Sequence, residues 1–522
     1  MDKLVLALSI AYLLCLNLRF VHGATTITSC NQTPYPKVCD QFMNTNPPST
    51  VDESKSEFHV LAHKVTMDQA IKAHRLISSM DMNLFNERAK LAWNDCLELY
   101  EDTINQLNRS ISSNNPTDAL TWLSASIANQ QTCENGFKDF NLYSTLQYFP
   151  NMLSSFSKLL SNTLAINKAL ASSSTYSTML HSKQSGGRHL LNFDGFPTWV
   201  SAADRRKLLQ SSESGPKADA VVAHDGSGNY KTISEAVASA SGSGRYVIYV
   251  KQGVYEENVV IKKSNIMLIG DGIDKTIVTG GKNVRSGSTT FGSATVAISG
   301  DSFIARDITF ENTAGPENSQ AVALRSASDL SIFYRCSFQG YQDTLYVYSQ
   351  RQFYRDCDIY GTEDFIFGDA AAVFQNCNIY VRKPLSGPKI AITAQSREDP
   401  NENTGIVIHD SRVTAAGDLG SVETYLGRPW RKYSRTVFMK CDLGSLINPS
   451  GWLPWDGDFA LDTLYYAEYM NTGSGSDTSG RVKWKGYHVI SSPEEAEKFT
   501  VRNFLAGDDW ISGTGVPYVD GL

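Results

Sequence analysis

Gly340-Tyr-Gln-Asp-Thr-Leu345 and Gly361-Thr-Glu-Asp-Phe-Ile366 match position for position, glycine with glycine and aspartate with aspartate. A second register repeats with them, because Cys336-Ser-Phe, Cys357-Asp-Ile and Cys377-Asn-Ile follow one another at nearly the same step. A repeat of about 20 residues with three short strands is the length of one coil of a parallel β-helix, in which equivalent residues stack at about 4.8 Å. The C-terminal part of the chain is therefore predicted to be an all-β parallel β-helix.

Two other architectures have a similar period or a similar content of strands. A leucine-rich repeat also has about 20 residues, but it requires leucines at fixed offsets, and these are absent from the segment. An antiparallel sandwich needs tight hairpin turns such as Asn-Gly between its strands, and that signal is poor here. The missing leucine pattern and the poor hairpin signal both favour the β-helix.

The N-terminal part has a different period. From residue 24 to 175, apolar residues recur at three and four positions, which is typical of amphipathic helices packed in a bundle. The apolar stripes run through Trp93, Cys96, Leu97, Tyr100, Ile104 and Leu107, through Leu120, Leu123 and Ile127, and through Leu153, Phe156, Leu160 and Leu164. We assign these stripes to the core of an all-α helix bundle.

The ends of these segments predict how the chain is exported and processed. Lys3 precedes the apolar run from Leu4 to Leu16, which is too short to span a bilayer, so residues 1–23 are predicted to be a signal peptide. Segment 24–175 is then the helical domain, 176–216 a linker, and 217–522 the β-helix. The mature protein is expected to be soluble and secreted, with no membrane attachment.

The linker contains two basic clusters that end in paired leucines. These are Arg188-His-Leu-Leu191 and the run Arg205, Arg206, Lys207, Leu208 and Leu209. Exposed basic segments are preferred sites of proteolysis, so we expect a processing protease to cut there. A solvated tether is the alternative.

Charge and cysteine content exclude some classes of function. A formal net charge of -7 over 522 residues argues against a nucleic-acid partner. Eight cysteines remain after the signal peptide, without any CxxC spacing, so disulfides are expected and a zinc site is not. Asn31 and Asn108 begin glycosylation sequons. We predict that no metal and no cofactor takes part.

Stacking of the coils brings two acidic residues together. Asp343 and Asp364 occupy equivalent positions, so their carboxylates are expected about 5 Å apart, and two such close groups cannot both ionise easily. One becomes a carboxylic acid and the other a carboxylate, as acid–base and nucleophilic catalysis require. Gln342 and Gln320, which lie about one coil apart, could donate hydrogen bonds to an oxyanion. Structural ladders of aspartate and glutamine are the alternative.

A loop with Gly and Pro, Tyr425-Leu-Gly-Arg428-Pro-Trp430, adds a guanidinium and an indole. Arg428 could hold a carboxylate ionised, and Trp430 could stack on a sugar ring, although the motif alone is as typical of a packed loop. No Gly-x-Ser-x-Gly elbow and no HExxH motif occurs. Serine-triad and zinc chemistry are therefore not supported.

Residues 217–522 resemble the pectin methylesterase family along their whole length. The matching stretches, in order, are Gly253-Val-Tyr-Glu-Glu257, Gln320-Ala-Val-Ala-Leu324, Gly340-Tyr-Gln-Asp-Thr-Leu-Tyr346, Gly361-Thr-Glu-Asp-Phe-Ile-Phe-Gly368 and Leu426-Gly-Arg-Pro-Trp430. Residues 24–175 resemble the invertase and pectin methylesterase inhibitor domain more loosely. The resemblance implies a right-handed β-helix, no metal, and demethylation of cell-wall homogalacturonan, with the N-terminal domain as an autoinhibitor.

The family's site residues carry over to matching positions. Asp364 resembles the nucleophile, Asp343 the proton donor and later base, and Gln342 the transition-state stabiliser. The substrate-binding positions correspond to Thr290, Gln320, Arg428 and Trp430. The partners implied are methyl-esterified homogalacturonan and a separate inhibitor protein.

One position departs from the family pattern. Position 363 is usually apolar, whereas here it is Glu363. Strand alternation predicts that its side chain faces away from Asp364, so activity should survive, although the extra charge could shift the pH optimum.

Two disulfides, Cys30–Cys39 and Cys96–Cys133, are implied by the inhibitor resemblance. A third, Cys336–Cys357, is predicted from the repeat, which places these residues on adjacent coils, with Cys377 and Cys441 as buried thiols.

Two other functions stay open from the residues alone. A close carboxylate pair would also suit a β-helical polygalacturonan hydrolase or lyase. Alternatively, the β-helix could be inactive and the helical bundle could be the functional part, as a binding or inhibitor protein.

Overall fold

The computed structural model describes residues 26–43, 54–142, 150–182, 217–387 and 389–522. Helices α1 to α5 precede the β-structure, α6 lies near its start, and α7 and α8 lie near the C-terminus. Their bounds are α1 Pro36–Met43, α2 Ser54–Ser78, α3 Glu87–Ser112, α4 Pro116–Asp139, α5 Pro150–Ser182, α6 Ile233–Ser239, α7 Pro493–Ala496 and α8 Val501–Leu505.

Local signals explain where the bundle helices begin. The side chain of Asn86 accepts a hydrogen bond from the Ala89 amide at the start of α3, and Asn115 caps α4 ahead of Pro116. The predicted stripes are buried or half-buried along these helices, with the Leu153 side chain lying outside the described residues. The bundle is therefore held by the apolar faces that the sequence indicates.

In the part of the chain that the structure describes, strands β1 to β26 form three sheets in which every pairing between strands is parallel. Their bounds are β1 Ala220–Val222, β2 Tyr246–Val250, β3 Gly253–Glu256, β4 Val259–Ile261, β5 Ile266–Ile269, β6 Thr276–Gly280, β7 Val296–Ile298, β8 Ile304–Arg306, β9 Thr309–Asn312, β10 Leu324–Ser326, β11 Ser331–Tyr334, β12 Ser337–Gln339, β13 Leu345–Val347, β14 Arg351–Arg355, β15 Asp358–Gly361, β16 Ile366–Gly368, β17 Ala371–Gln375, β18 Asn378–Val381, β19 Lys389–Gln395, β20 Gly405–His409, β21 Arg412–Ala415, β22 Glu423–Gly427, β23 Arg435–Met439, β24 Asp442–Leu443, β25 Tyr465–Tyr469 and β26 Tyr487–Val489. Strands about three positions apart in the chain are neighbours in the same sheet, so the chain winds in successive coils. The predicted β-helix is therefore confirmed.

The pairing register agrees with the sequence repeat. Leu345 pairs with Ile366, and Ile359 pairs with Ile379, as the repeated motifs require. The step from Gln320 to Gln342 is one residue longer than the step from Asp343 to Asp364. The backbone accommodates this difference, because the Ala323 and Leu324 amides both donate to the Thr344 carbonyl. That shared acceptor absorbs one extra residue, as in a β-bulge.

The core of the β-helix is a ladder of stacked side chains. Phe333, Tyr354 and Phe374 lie in register on successive coils, with ring centroids 4.7 and 4.3 Å apart. Aromatic pairs at such spacing add to the apolar area that they bury. The stack fixes the registration of neighbouring coils, on which the site depends.

The predicted Cys336–Cys357 disulfide is wrong, because both residues are buried thiols. They do lie on adjacent coils, but side chains at equivalent positions of parallel coils point the same way, and each thiol donates to a backbone carbonyl. Cys377 and Cys441 are buried thiols too. In the helical domain, the bridges Cys30–Cys39 and Cys96–Cys133 are present.

The helical domain packs on the seven-stranded sheet, whose order is β22-β19-β16-β13-β10-β7-β4. Residues of α3 and α4 share an apolar cluster with the outer face of this sheet. Polar contacts surround the cluster: Tyr348 donates to Asn129 at 2.7 Å, and Arg351 binds Asp118 at 2.7 Å. The two domains therefore meet along one face of the β-helix.

Some predictions concern residues that the structure does not describe. The signal peptide over 1–23 and the clusters at 188–191 and 205–209 lie outside the described residues. Helix α5 runs to Ser182, beyond the predicted domain end at residue 175. Asn31 and Asn108, the first residues of the two sequons, are exposed on the helical domain.

Candidate active site

The two repeated aspartates lie in the turns just before β13 and β16. Both have positive φ angles, 61° for Asp343 and 52° for Asp364, a backbone conformation that aspartate tolerates better than most residues. The Asp343 amide donates to the Glu363 carbonyl, which fixes the two turns on adjacent coils. Both side chains are buried, with residue exposures of 7% and 6%. The repeat thus delivers two enclosed carboxyls to one place.

Arg428 follows β22 and binds one of the two acids. Its Nε donates to Asp364 Oδ1 at 2.8 Å, and its Nη2 donates to Asp364 Oδ2 at 2.5 Å. The guanidinium also lies over the Trp455 ring, 4.5 Å from its centroid, which restricts its rotation. A bidentate pair of this kind fixes both the charge and the orientation of the carboxylate.

The environments of the two acids differ. Burial raises the pKa of Asp343 well above its usual value, and the neighbouring Asp364 and Glu363 raise it further. Burial also raises the pKa of Asp364, to about 6, against the opposing effect of Arg428. Burial and the neighbouring carboxylates thus favour the protonated form of Asp343, whereas Arg428 favours the ionised form of Asp364.

Glu363 does not face away from the site, so the expectation from strand alternation is wrong. Its carboxylate binds Nη2 of Arg428, the nitrogen that also binds Asp364. The reason is local: the left-handed φ angle of Asp364 interrupts the extended backbone, so residues 363 and 364 do not point to opposite faces. Two carboxylates share one guanidinium.

Four further predicted residues line the same cavity, whose volume is about 280 Å³. They are Gln320, Gln342, Thr290 and Trp430. The Trp430 amide donates to the Gln395 carbonyl, which ties its loop to β19. The structure therefore brings together all seven predicted catalytic and substrate-binding residues.

Aromatic residues of the cavity were missed by the sequence reasoning. Tyr346 and Phe367 stack at 4.2 Å between centroids on neighbouring strands, and Trp455 lines the cavity with its ring against the Arg428 guanidinium. The signal for the first two was available, since they occupy equivalent positions after Asp343 and Asp364. No motif marks Trp455, which comes from a loop far along the chain.

Helix α4 of the helical domain closes one side of this cavity. Thr132, Asn135, Gly136 and Asp139 contribute to its wall. Asp139 accepts hydrogen bonds from the Thr290 amide and hydroxyl at 3.2 and 3.0 Å. Thr290, a predicted substrate-binding residue, is therefore hydrogen-bonded to a carboxylate of the helical domain.

Within the described ranges, no group of three or more histidine, cysteine, aspartate or glutamate side chains is placed to hold a metal ion. No helix among those residues is both long and apolar enough to cross a membrane.

The fold and the cleft define a class: a parallel β-helix with an arginine-bound aspartate pair and a helical domain over its cleft. Residues 219–508 match the Pectinesterase family, and residues 25–166 match the Plant invertase/pectin methylesterase inhibitor family. The chain therefore belongs to the pectinesterase family, as a carboxylic ester hydrolase with an N-terminal domain of the inhibitor type.

Individual relatives agree with this assignment. Probable pectinesterase/pectinesterase inhibitor 6 of Arabidopsis thaliana is 56% identical, covering 96% of this chain and 95% of the relative. Pectinesterase 2 of Citrus sinensis is 53% identical, with 94% of each chain covered. The solved pectin methylesterase from carrot is 58% identical with a TM-score of 0.58, over 60% of this chain and 100% of that one.

Proposed function

We propose that this protein removes methyl esters from homogalacturonan, with Asp364 as nucleophile and Asp343 as general acid and then base. One observation supports this assignment most: Arg428 forms its bidentate pair with Asp364 and not with Asp343. An ionised carboxylate beside a protonated one is the combination that attack and leaving-group protonation require.

In the first step, an oxygen of Asp364 attacks the ester carbonyl carbon. Gln342 and Gln320 donate hydrogen bonds to the oxyanion that forms. The bond from carbon to the methoxy oxygen then breaks, and that oxygen takes the proton of Asp343 and leaves as methanol. An anhydride between Asp364 and the sugar acid remains.

In the second step, the ionised Asp343 removes a proton from water as the water oxygen attacks the sugar carbonyl of the anhydride. The bond to Asp364 breaks, which restores its carboxylate and the protonated Asp343. The sugar leaves as a carboxylic acid. The sum is one ester and one water converted to one acid and one methanol.

Methanol and reducing ends, measured together on methyl-esterified pectin, test this reaction. We expect methanol release without new reducing ends, whereas a glycoside hydrolase or lyase would cut the chain. Asp364→Asn should abolish nearly all release, and Asp343→Asn should lower it by about 10²–10⁴-fold, the usual contribution of acid–base catalysis. Near-normal turnover by either folded variant would overturn the assignment.

The place of action that best fits the predicted signal peptide is the plant cell wall, and the substrate class agrees with it. The active enzyme is then expected to begin near Gln210, after cleavage behind Leu209, with the Arg188 cluster as a secondary site. N-terminal sequencing of the wall-extracted protein tests this expectation. An active enzyme that starts near residue 24 would contradict it.

We also infer that the helical domain inhibits the enzyme in cis. The bond from Asp139 to Thr290 and the wall supplied by α4 support this role. A domain tethered by a linker acts at an effective concentration of about a millimolar, so even weak docking closes the cleft. Methanol release is expected to rise when the linker is cut. Equal activity before and after cutting would mean that the helical domain is not an inhibitor, and assays of the separated halves would show which of them is active.

A further inference from the structure

Arg325 lies outside the catalytic cluster but on the same face of the same sheet. It is the middle residue of β10 and pairs in register with Tyr346, which pairs in turn with Phe367. The three side chains form one row across neighbouring strands, spaced by about 4.8 Å. Because Tyr346 and Phe367 line the catalytic cavity, this row leads from that cavity toward Arg325.

The guanidinium of Arg325 is buried against two aromatic rings. Its Cζ atom lies 3.4 Å from the centroid of the Phe291 ring, and Tyr348 flanks it at 5.9 Å. Nε has no hydrogen-bond acceptor among the residues that the structure describes. A buried donor without an acceptor is costly, and the planar donors of a guanidinium fit a carboxylate.

A second cavity, of about 260 Å³, adjoins this guanidinium. The β-helix contributes Arg325, Tyr348 and Lys262 to its wall, and helix α3 contributes Glu98. Glu98 forms an ion pair with Lys262 at 3.3 Å. The wall of the β-helix is thus cationic, and the wall of the helical domain is acidic.

The charges that act on Arg325 come from that helix. Glu98 and Asp95, one turn apart on α3, both favour its charged form, although burial lowers its pKa. Asp95 also accepts a hydrogen bond from Thr289, next to the predicted substrate-binding Thr290. An acidic helix edge therefore runs along the row of β-helix residues that leads to the catalytic pair.

We propose that Arg325 and Lys262 form a subsite for the free carboxylate of an un-esterified galacturonate residue, and that Glu98 of α3 occupies this subsite by charge mimicry in the precursor. This inference rests on the proposed function, because it takes the substrate chain to lie along the row from Phe367 to Arg325. The subsite discriminates between charged and methylated sugars, since a methyl ester carries no charge for the guanidinium to bind.

The test uses the β-helix released by cutting the full chain within its linker. The carrot structure matches a share of this chain close to that of the β-helix, which supports folding of this part by itself. Binding of two probes is measured by calorimetry: fully de-esterified oligogalacturonate and the same oligomer fully methyl-esterified. Wild type is compared with Arg325→Gln, with Lys262→Gln, and with Arg412→Gln as a control on an exposed arginine of another sheet.

Arg325→Gln is expected to weaken binding of the de-esterified oligomer by about tenfold, as for loss of a charge-assisted contact in a solvated groove, with less than threefold change for the esterified oligomer. Lys262→Gln should give a smaller loss with the same selectivity, and because its side chain is exposed, the substitution leaves the packing of the fold unchanged. Arg412→Gln should bind both probes as wild type does. The separated helical domain should also bind Arg325→Gln more weakly than wild type.

Equal losses for the two oligomers, or no loss for either, would overturn the proposal. Failure of the proposed function gives a different result, namely absence of methanol release from the released wild-type β-helix. Because calorimetry requires no turnover, the two failures are distinguishable.

Discussion

Replacing Glu363 by glutamine is expected to move the acid limb of the pH–rate profile to lower pH. The carboxylate of Glu363 and that of Asp364 bind the same Nη2 atom of Arg428. The negative charge of Glu363 raises the pKa of Asp364, which lies at about 6 in the precursor. The ionised nucleophile is lost as pH falls through that pKa, so removing Glu363 lets it persist into more acidic solution.

The size of this effect follows from the shared guanidinium. Two oxygens bound to one nitrogen lie within about 5 Å, at which two unit charges interact by about 1 kcal/mol in water and about 3 kcal/mol at a partly shielded site. The Glu363 side chain is 41% exposed, so the lower figure applies. An interaction of about 1 kcal/mol corresponds to roughly 0.7 of a pH unit in the acid limb.

Methanol release by the released enzyme, measured from pH 4 to 8 on one methyl-esterified substrate, tests this prediction. Glu256→Gln is the matched control, because Glu256 is exposed on β3 in another sheet. The two variants should have the same rate on the neutral plateau. An acid limb that stays in place for Glu363→Gln, or moves to higher pH, would refute the reasoning.

Three further predictions concern docking, packing and thiols. Burial raises the pKa of Asp95 to about 7, so Asp95 holds its proton more tightly when the helical domain is docked on the β-helix. The affinity of this docking should therefore fall as pH rises from 3.8 to about 7, by up to tenfold per pH unit. In a binding titration, Asp95→Asn should flatten this pH dependence, and a steep dependence in the variant would contradict the prediction. Phe333→Ala, in the aromatic ladder, should lower the free energy of unfolding by about 3–5 kcal/mol in urea titrations, and a cost below about 1 kcal/mol would mean that the ladder repacks. Peptide mapping without reductant should recover Cys336 and Cys357 as thiols, and a bridge between them would contradict the structure.

The coil geometry was accessible from the sequence because it is periodic. The repeat can be read directly from the matching motifs, and it placed Asp343 and Asp364 on adjacent coils, as the pairing of Leu345 with Ile366 confirms. The same reasoning failed for Cys336 and Cys357, since proximity of two positions does not give the direction of their side chains. The stacking of coils predicts which residues are neighbours, but it does not predict which cysteines form disulfide bonds.

The orientation of Glu363 could not be predicted for a related reason. Alternation along a strand holds only for extended backbone, and the turn that carries Asp364 is left-handed. Trp455 and the acidic edge of α3 reach the cleft through tertiary contacts between segments far apart in the chain. Such contacts leave no spacing in the sequence from which they could be derived.

Unequal coil lengths decide where this chain can be altered without loss of the acid pair. The strand that follows Asp343 and the strand that follows Asp364 are one short coil apart, whereas the next coil, which pairs Ile366 with Thr393, is longer. The longer coil places its extra residues between β18 and β19, a segment in which residues 385–387 are exposed. Insertions and grafted loops should therefore be tolerated at residues 385–387, but a single inserted residue between β13 and β16 would shift one carboxyl out of line with the other.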